Sequence, residues 1–191
     1  MAEGLYGLVG TFSGVVFVTV AALPPAAVAV WALAGSRRAG GAGAAWRMSL
    51  AEVGILYGTV PWVWMIMLPG ARGGVNLVPL RDLSVILDGD PGTAARQIVG
   101  NLLVFAALGF FAPLRFAALA SVPRMLAVGA GCSVLVETAQ YVLRLDRVSS
   151  VDDVLLNAAG AGIAAVASRR WWRAAKGMSP DRPLSAPAAG R

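Results

Sequence analysis

RVSSVDDVLLNAAG, residues 147–160, sets an arginine, two aspartates and an asparagine at the mouth of an apolar run. From Ala158 that run continues to Ser168 without a charge. Capping chemistry explains part of the pattern. Ser150 suits an N-cap, and Asp153 three residues on resembles a capping box with Asp in place of Glu. Asp152 and Asp153 also suit the positive end of a helix dipole. Asn157 lies a full turn inside the helix, where capping gives it no role.

The chain around this stretch is built for a membrane. Its 191 residues are 58% hydrophobic and 14% charged, with a mean hydropathy of +0.70. A soluble domain carries about 25% charged residues. The net charge is +6, but the basic residues stand in short clusters between apolar stretches, as topology signals do, and no nucleic-acid partner is expected. Cys132 is the single cysteine, so no disulfide forms within one chain. Histidine is absent, which excludes Ser-His-Asp and Cys-His nucleophiles and the common zinc sites. No metal or cofactor is expected. Chemistry is left to carboxylates, arginine, amides, hydroxyls and tyrosine.

A helix needs about 20 apolar residues to cross a hydrocarbon core, and about five stretches qualify. They run from about Leu5 to Ala34, Met48 to Leu68, Gln97 to Leu114, Arg124 to Leu143 and Asp152 to Ser168. The first is overlong, and Pro24-Pro25 predict a kink. Its n-region, Met1-Ala2-Glu3-Gly4, lacks basic residues, so it reads as a retained span and not a cleaved signal. Gly7, Gly10 and Gly14 place small residues along one side of it, a face for close helix packing with a homodimer as an open option. The segment after the second span, with its Pro and Gly, reads as a loop. Trp62 and Trp64 lie near the end of the second span. Trp171 and Trp172, with Arg169, Arg170 and Arg173, form an interfacial anchor after the fifth. The predicted fold is an all-α polytopic transmembrane helical bundle. Residues 1–47 form the first span and a basic loop, 48–176 the core, and 177–191 a disordered, proline-rich tail.

Basic residues orient the spans. With the N-terminus outside and the C-terminus in the cytoplasm, 11 of 16 lysines and arginines fall on inner segments. The five outer ones, Arg72, Arg81, Arg96, Arg144 and Arg147, share their loops with aspartates. The expected location is therefore a bacterial plasma membrane.

This topology gathers the polar residues of the last three spans near the outer surface. Gln97 and Asn101 lie one turn apart on the third, Glu137 and Gln140 on the fourth, and Asp153 and Asn157 on the fifth. Glu137 is the hardest to place in lipid, since an ionised carboxylate costs about 2.5–3.5 kcal/mol there even on the gentler scales. Arg144, seven positions on, is expected on its face, and Arg147 is expected to reach down from the loop. A salt bridge and a functional carboxylate are about equally good readings. Gln97, Asn101 and Gln140 taken singly read as interhelical hydrogen-bond glue.

Four stretches resemble the VanZ-like family of small bacterial membrane proteins. They are NLVPL at 76–80, RQIVGNLLVFAALGFFAPL at 96–114, VLVETAQYVL at 134–143 and RVSSVDDVLLNAAGAGIA at 147–164. Together they span about half of the chain, in order and with matching spacing. Val136 stands where the family often has Ile, and Leu80 where it favours a bulkier residue. Neither departure touches a polar position. The resemblance implies that Asn76, Asn101, Glu137, Gln140, Arg147, Asp152, Asp153 and Asn157 carry the family's polar motif. It also implies kinship with a protein linked to resistance to the glycopeptide teicoplanin.

Three functions compete. The first is binding of an anionic lipid or lipid-linked cell-wall intermediate, with Arg144 and Arg147 on its phosphate and the carboxylates fixing them. The second is an intramembrane enzyme with Glu137 or Asp153 as general base. For this no nucleophile shows an activator, and the two aspartates with Glu137 have no diagnostic cation-binding spacing. The third is a small transporter, which polar residues confined to one leaflet disfavour.

Overall fold

Proline and capping chemistry divide the apolar sequence into helices. The computed structural model describes residues 10–177; Gly7 and the predicted tail beyond Gly177 lie outside them. Thr11 caps α1 (Phe12–Ala21), its hydroxyl accepting from the Gly14 N–H at 3.1 Å. Helix α2 (Leu23–Ala39) follows after Ala22, with prolines in its first turn, where a missing N–H is not needed. The predicted kink thus falls at the α1–α2 junction. Helix α3 (Ala45–Ile66) leads into strand β1 (Gly74–Asn76) and the short helix α4 (Arg81–Leu87). Asp90 caps α5 (Pro91–Val104), accepting from the Thr93 N–H at 2.7 Å. After a break at Phe105 comes α6 (Ala106–Arg115), then α7 (Val122–Val142), strand β2 (Val148–Ser150), α8 (Val151–Ala167) and α9 (Arg169–Gly177).

Four of the resulting units, residues 12–39, 45–66, 91–115 and 122–142, are long and apolar enough to cross a membrane. Helix α8, with 17 residues, spans about 26 Å at 1.5 Å per residue, slightly less than a hydrocarbon core of about 30 Å. The four answer to the first four predicted spans, and α8 lies where the fifth was expected. The third begins at Pro91, six residues before the expected start, so Gln97 and Asn101 lie inside the helix and not at its mouth.

Glu52, near the start of α3, holds one end of the bundle together. It pairs with Arg37 from the end of α2 at 2.5 Å and with Arg115 from the end of α6. Arg37 also donates to the Ser49 hydroxyl at 2.7 Å. At this basic end Trp171 of α9 packs its ring 5.5 Å from that of Phe110. The opposite, loop end carries the segments between α3 and α5 and between α7 and α8. Here β1 and β2 pair in parallel, Gly74 with Val148 and Asn76 with Ser150. The sequence reading expected only loop, because three-residue strands are too short to show a period.

The interior is built on close backbone approach. A Cβ on Gly160 of α8 would overlap the Leu102 carbonyl of α5, and one on Gly109 of α6 would overlap the backbone of Ala161. At Gly129 of α7 it would lie 2.8 Å from the Ala161 methyl. Lipid tails are as apolar as leucine, so van der Waals contact between small residues is what draws such helices together. Val104, Phe105 and Ala161 are buried at one level, and Ala112, Met125 and Ala165 at another. Helix α1 is peripheral, held to α3 where the Tyr57 hydroxyl donates to the Thr19 carbonyl at 2.8 Å. Of its glycines, Gly14 is buried within the chain itself and Gly10 is exposed.

Gly160→Val is expected to lower stability by about 1–3 kcal/mol or more through overpacking. Thermal unfolding in detergent and accumulation in the membrane check it. Gly100→Ala, with open space at its Cβ position, should leave both unchanged.

Candidate functional site

Two polar groups lie side by side at the loop end, and they differ in what they leave free. The first is a clasp. Asp152 is buried, and its carboxylate accepts from the Leu80 N–H at 2.5 Å and the Leu83 N–H at 2.9 Å. It therefore caps α4, not its own helix as the sequence suggested. Leu80 takes a left-handed backbone (φ 65°) to present its N–H. Asp82 accepts from Asn76 Nδ2 and from the Ser150 hydroxyl, both at 2.6 Å. Ser150 is the expected N-cap, accepting from the Asp152 N–H at 3.2 Å. Asn76 Oδ1 closes the turn by accepting from the Val78 N–H at 3.1 Å. Asn76, Asp82, Ser150 and Asp152 thus fasten the segment after β1 onto the start of α8. Asp82 escaped the sequence reading because an aspartate in a polar loop is ordinary, and its partner Ser150 is remote in the chain.

The second group joins α5, α7 and α8. Asn101 donates to Asp153 Oδ1 at 2.5 Å, so Asp153 reaches across to α5 instead of closing a capping box. Asn157 donates to the Ser133 hydroxyl at 2.8 Å, with both residues buried. Glu137 lies one turn from Ser133 on α7, within electrostatic reach of Asp153 and Arg147. Two acceptors here, Glu137 Oε2 and Asn157 Oδ1, are buried and receive no hydrogen bond from the described residues. Arg147 is half-buried and donates to the Leu68 carbonyl at 3.4 Å. Among the described residues it makes no ion pair, so the expected Glu137–Arg147 salt bridge is not formed.

The other predicted residues lie elsewhere. Helix α7 ends at Val142, so Arg144 lies beyond the helix, exposed and with a left-handed φ of 52°, and among the described residues it forms no ion pair with Glu137. Gln140 is buried and donates to the Ile66 carbonyl at 2.7 Å, tying α7 to the end of α3. Gln97 is exposed at the rim of a cleft of about 230 Å³ whose other polar walls are Asp82, Ser150 and Asp153. No group of three His, Cys, Asp or Glu among the described residues is placed to hold a metal ion. The Ser149 and Ser150 hydroxyls are committed, to the Glu137 carbonyl at 3.2 Å and to Asp82 at 2.6 Å. At the basic end Glu52 was missed, although the desolvation cost that singles out Glu137 applies equally to a glutamate in the second span.

Membrane-crossing helices with a half-satisfied polar cluster at one end define a small polytopic membrane protein. The chain belongs to the VanZ/LLP1 family, whose model matches residues 55–172. The match holds every residue of both polar groups and omits α1 and α2. No curated protein and no solved structure matches the chain.

Asp152→Ala removes the acceptor for two α4 amides. Leaving a buried group unpaired costs about 1–3 kcal/mol. Hydrogen exchange at Leu80 and Leu83 should accelerate while the α7–α8 amides stay protected.

Proposed function

We propose that this protein binds a lipid carrying an anionic group and a hydroxyl- or amine-bearing head, at the outer face of the bacterial plasma membrane. The basic end, with Arg37, Arg115 and Arg169 to Arg173, faces the cytoplasm by the positive-inside rule, which puts the loop end outside. One observation carries the reading: among the described residues, Glu137 Oε2 and Asn157 Oδ1 are buried acceptors that receive no hydrogen bond, beside a half-buried arginine that forms no ion pair at salt-bridge distance. Such a site favours a ligand that brings N–H or O–H groups to the acceptors and an oxyanion to Arg147. The cleft of Asp82, Gln97, Ser150 and Asp153 extends the acceptor surface, as a sugar headgroup requires. Kinship with a glycopeptide-resistance protein makes a lipid-linked cell-wall intermediate the candidate ligand. An enzymatic reading has less support, because the hydroxyls nearest the carboxylates are already committed.

Lipids extracted from the purified wild type, Arg147→Ala and Glu137→Gln proteins test this by mass spectrometry. The wild type should retain an anionic lipid above its share of the membrane. Arg147→Ala should lower retention about tenfold, matching the loss of one hydrogen bond to a charged group of roughly 1.5 kcal/mol. Glu137→Gln should lower it less. Bulk lipid composition in the wild type overturns the proposal. If both variants fail to accumulate while Asn76→Ala accumulates normally, the second polar group serves folding instead.

A further inference from the structure

Beside the polar cluster, two adjoining apolar hollows run along α3. One, of about 370 Å³, lies between Val15 and Thr19 of α1 and Leu56, Val60, Pro61 and Trp64 of α3. The other, of about 830 Å³, lies between Gly10, just ahead of α1, and α3; it shares Val60 and Trp64 with the first and runs on past Thr59 to Met67, Leu68 and Pro69. From Leu56 to Ile66 they follow α3 for about 15 Å at 1.5 Å per residue. Leu56 is 64% exposed and Val60 53%, so the groove opens sideways from the bundle. Tyr57 holds α1 at a fixed distance by donating to the Thr19 carbonyl, which keeps the gap from closing.

The upper end of this groove meets the polar site at one residue. Leu68 lines the larger hollow and its carbonyl accepts from Arg147, while the Arg147 charge also acts on Glu137 and Asp153. In the wall of the larger hollow, Thr59 Oγ1 is buried and has no hydrogen-bond partner among the described residues. A polar head, a cation and an apolar channel thus follow one another along one line.

We infer that the α1–α3 groove holds the hydrocarbon chain of an anionic lipid whose phosphate sits at Arg147. This rests on the headgroup reading above and deepens it. Charge complementarity at Arg147 and the apolar walls below it choose the occupant. The α1 helix, outside the family match, then acts as the second wall of a lipid channel.

Trp64, common to both hollows, is the reporter. A chain keeping Trp64, with Trp31, Trp46, Trp62, Trp171 and Trp172 changed to Phe, is placed in phosphatidylcholine bilayers. A minor fraction of chain-brominated phosphatidic acid or of chain-brominated phosphatidylcholine is then added at equal mole fraction. The inference expects at least a twofold excess of quenching by the phosphatidic acid, abolished by Val60→Phe and by Arg147→Gln. Equal quenching by the two lipids overturns it. If lipid is still retained on purification, the headgroup reading survives and the chain lies elsewhere; if none is retained, both fail. Equal quenching with a dimer by light scattering gives the groove to a second copy. Should the single-tryptophan chain not accumulate, native mass spectrometry of the otherwise unaltered chain decides. Phosphatidic acid adducts should fall about tenfold in Val60→Phe, and unchanged adducts overturn the inference.

Discussion

Helix α8 touches its neighbours backbone to backbone, and the rest of the molecule depends on that contact. Gly160 meets Leu102 of α5, while Ala161 meets both Gly109 of α6 and Gly129 of α7. In water such glycines would be a liability in a helix, costing about 1 kcal/mol each against alanine. In lipid they allow the approach that supplies the attraction. Asn157 lies about one turn from Gly160 along α8, and Asp153 one turn beyond, so the contact that binds three helices also sets how far their polar side chains must reach. The 2.5 Å bond from Asn101 to Asp153 and the 2.8 Å bond from Asn157 to Ser133 follow from it.

Most of the helix plan was legible in the sequence, because hydrophobic length is a strong signal and membranes allow few alternatives. The break before Pro24-Pro25 was legible for the same kind of reason, since proline lacks the N–H a continuing helix needs. So was the meeting of Asn101, Glu137, Asp153 and Asn157 on three helices, once the order of spans put them at one depth. What stayed hidden depends on contacts between remote residues or on a single backbone angle. Asp152 looked like a cap for its own helix and caps α4 instead. Arg144 was expected on the face of Glu137, but α7 ends two residues before it and its backbone is left-handed. Glu52 was hidden by its place near the arginines that neutralise it.

The structure separates polar residues that hold the fold from those left open. Asn76, Asp82, Gln140, Ser150 and Asp152 have their hydrogen bonds filled from within the chain. Glu137 and Asn157 each keep a buried oxygen that no described residue fills. Both sets lie within the family match, so a shared motif by itself does not tell scaffold from site. Partner counting does, because an unmade bond in a low-dielectric interior is expensive to maintain and is best explained by something that completes it.

The pairing of β1 with β2 and the Asp152 cap on α4 join segments remote in the chain, Leu80 and Asp152 being 72 residues apart. As the chain emerges from the ribosome, the first of these segments is made long before its partner exists. Its strand edge and the amides of Leu80 and Leu83 must wait at the membrane surface until the last long helix has inserted. Assembly therefore ends with the closing of the loop end, and a chain truncated before α8 would leave β1 with an open strand edge.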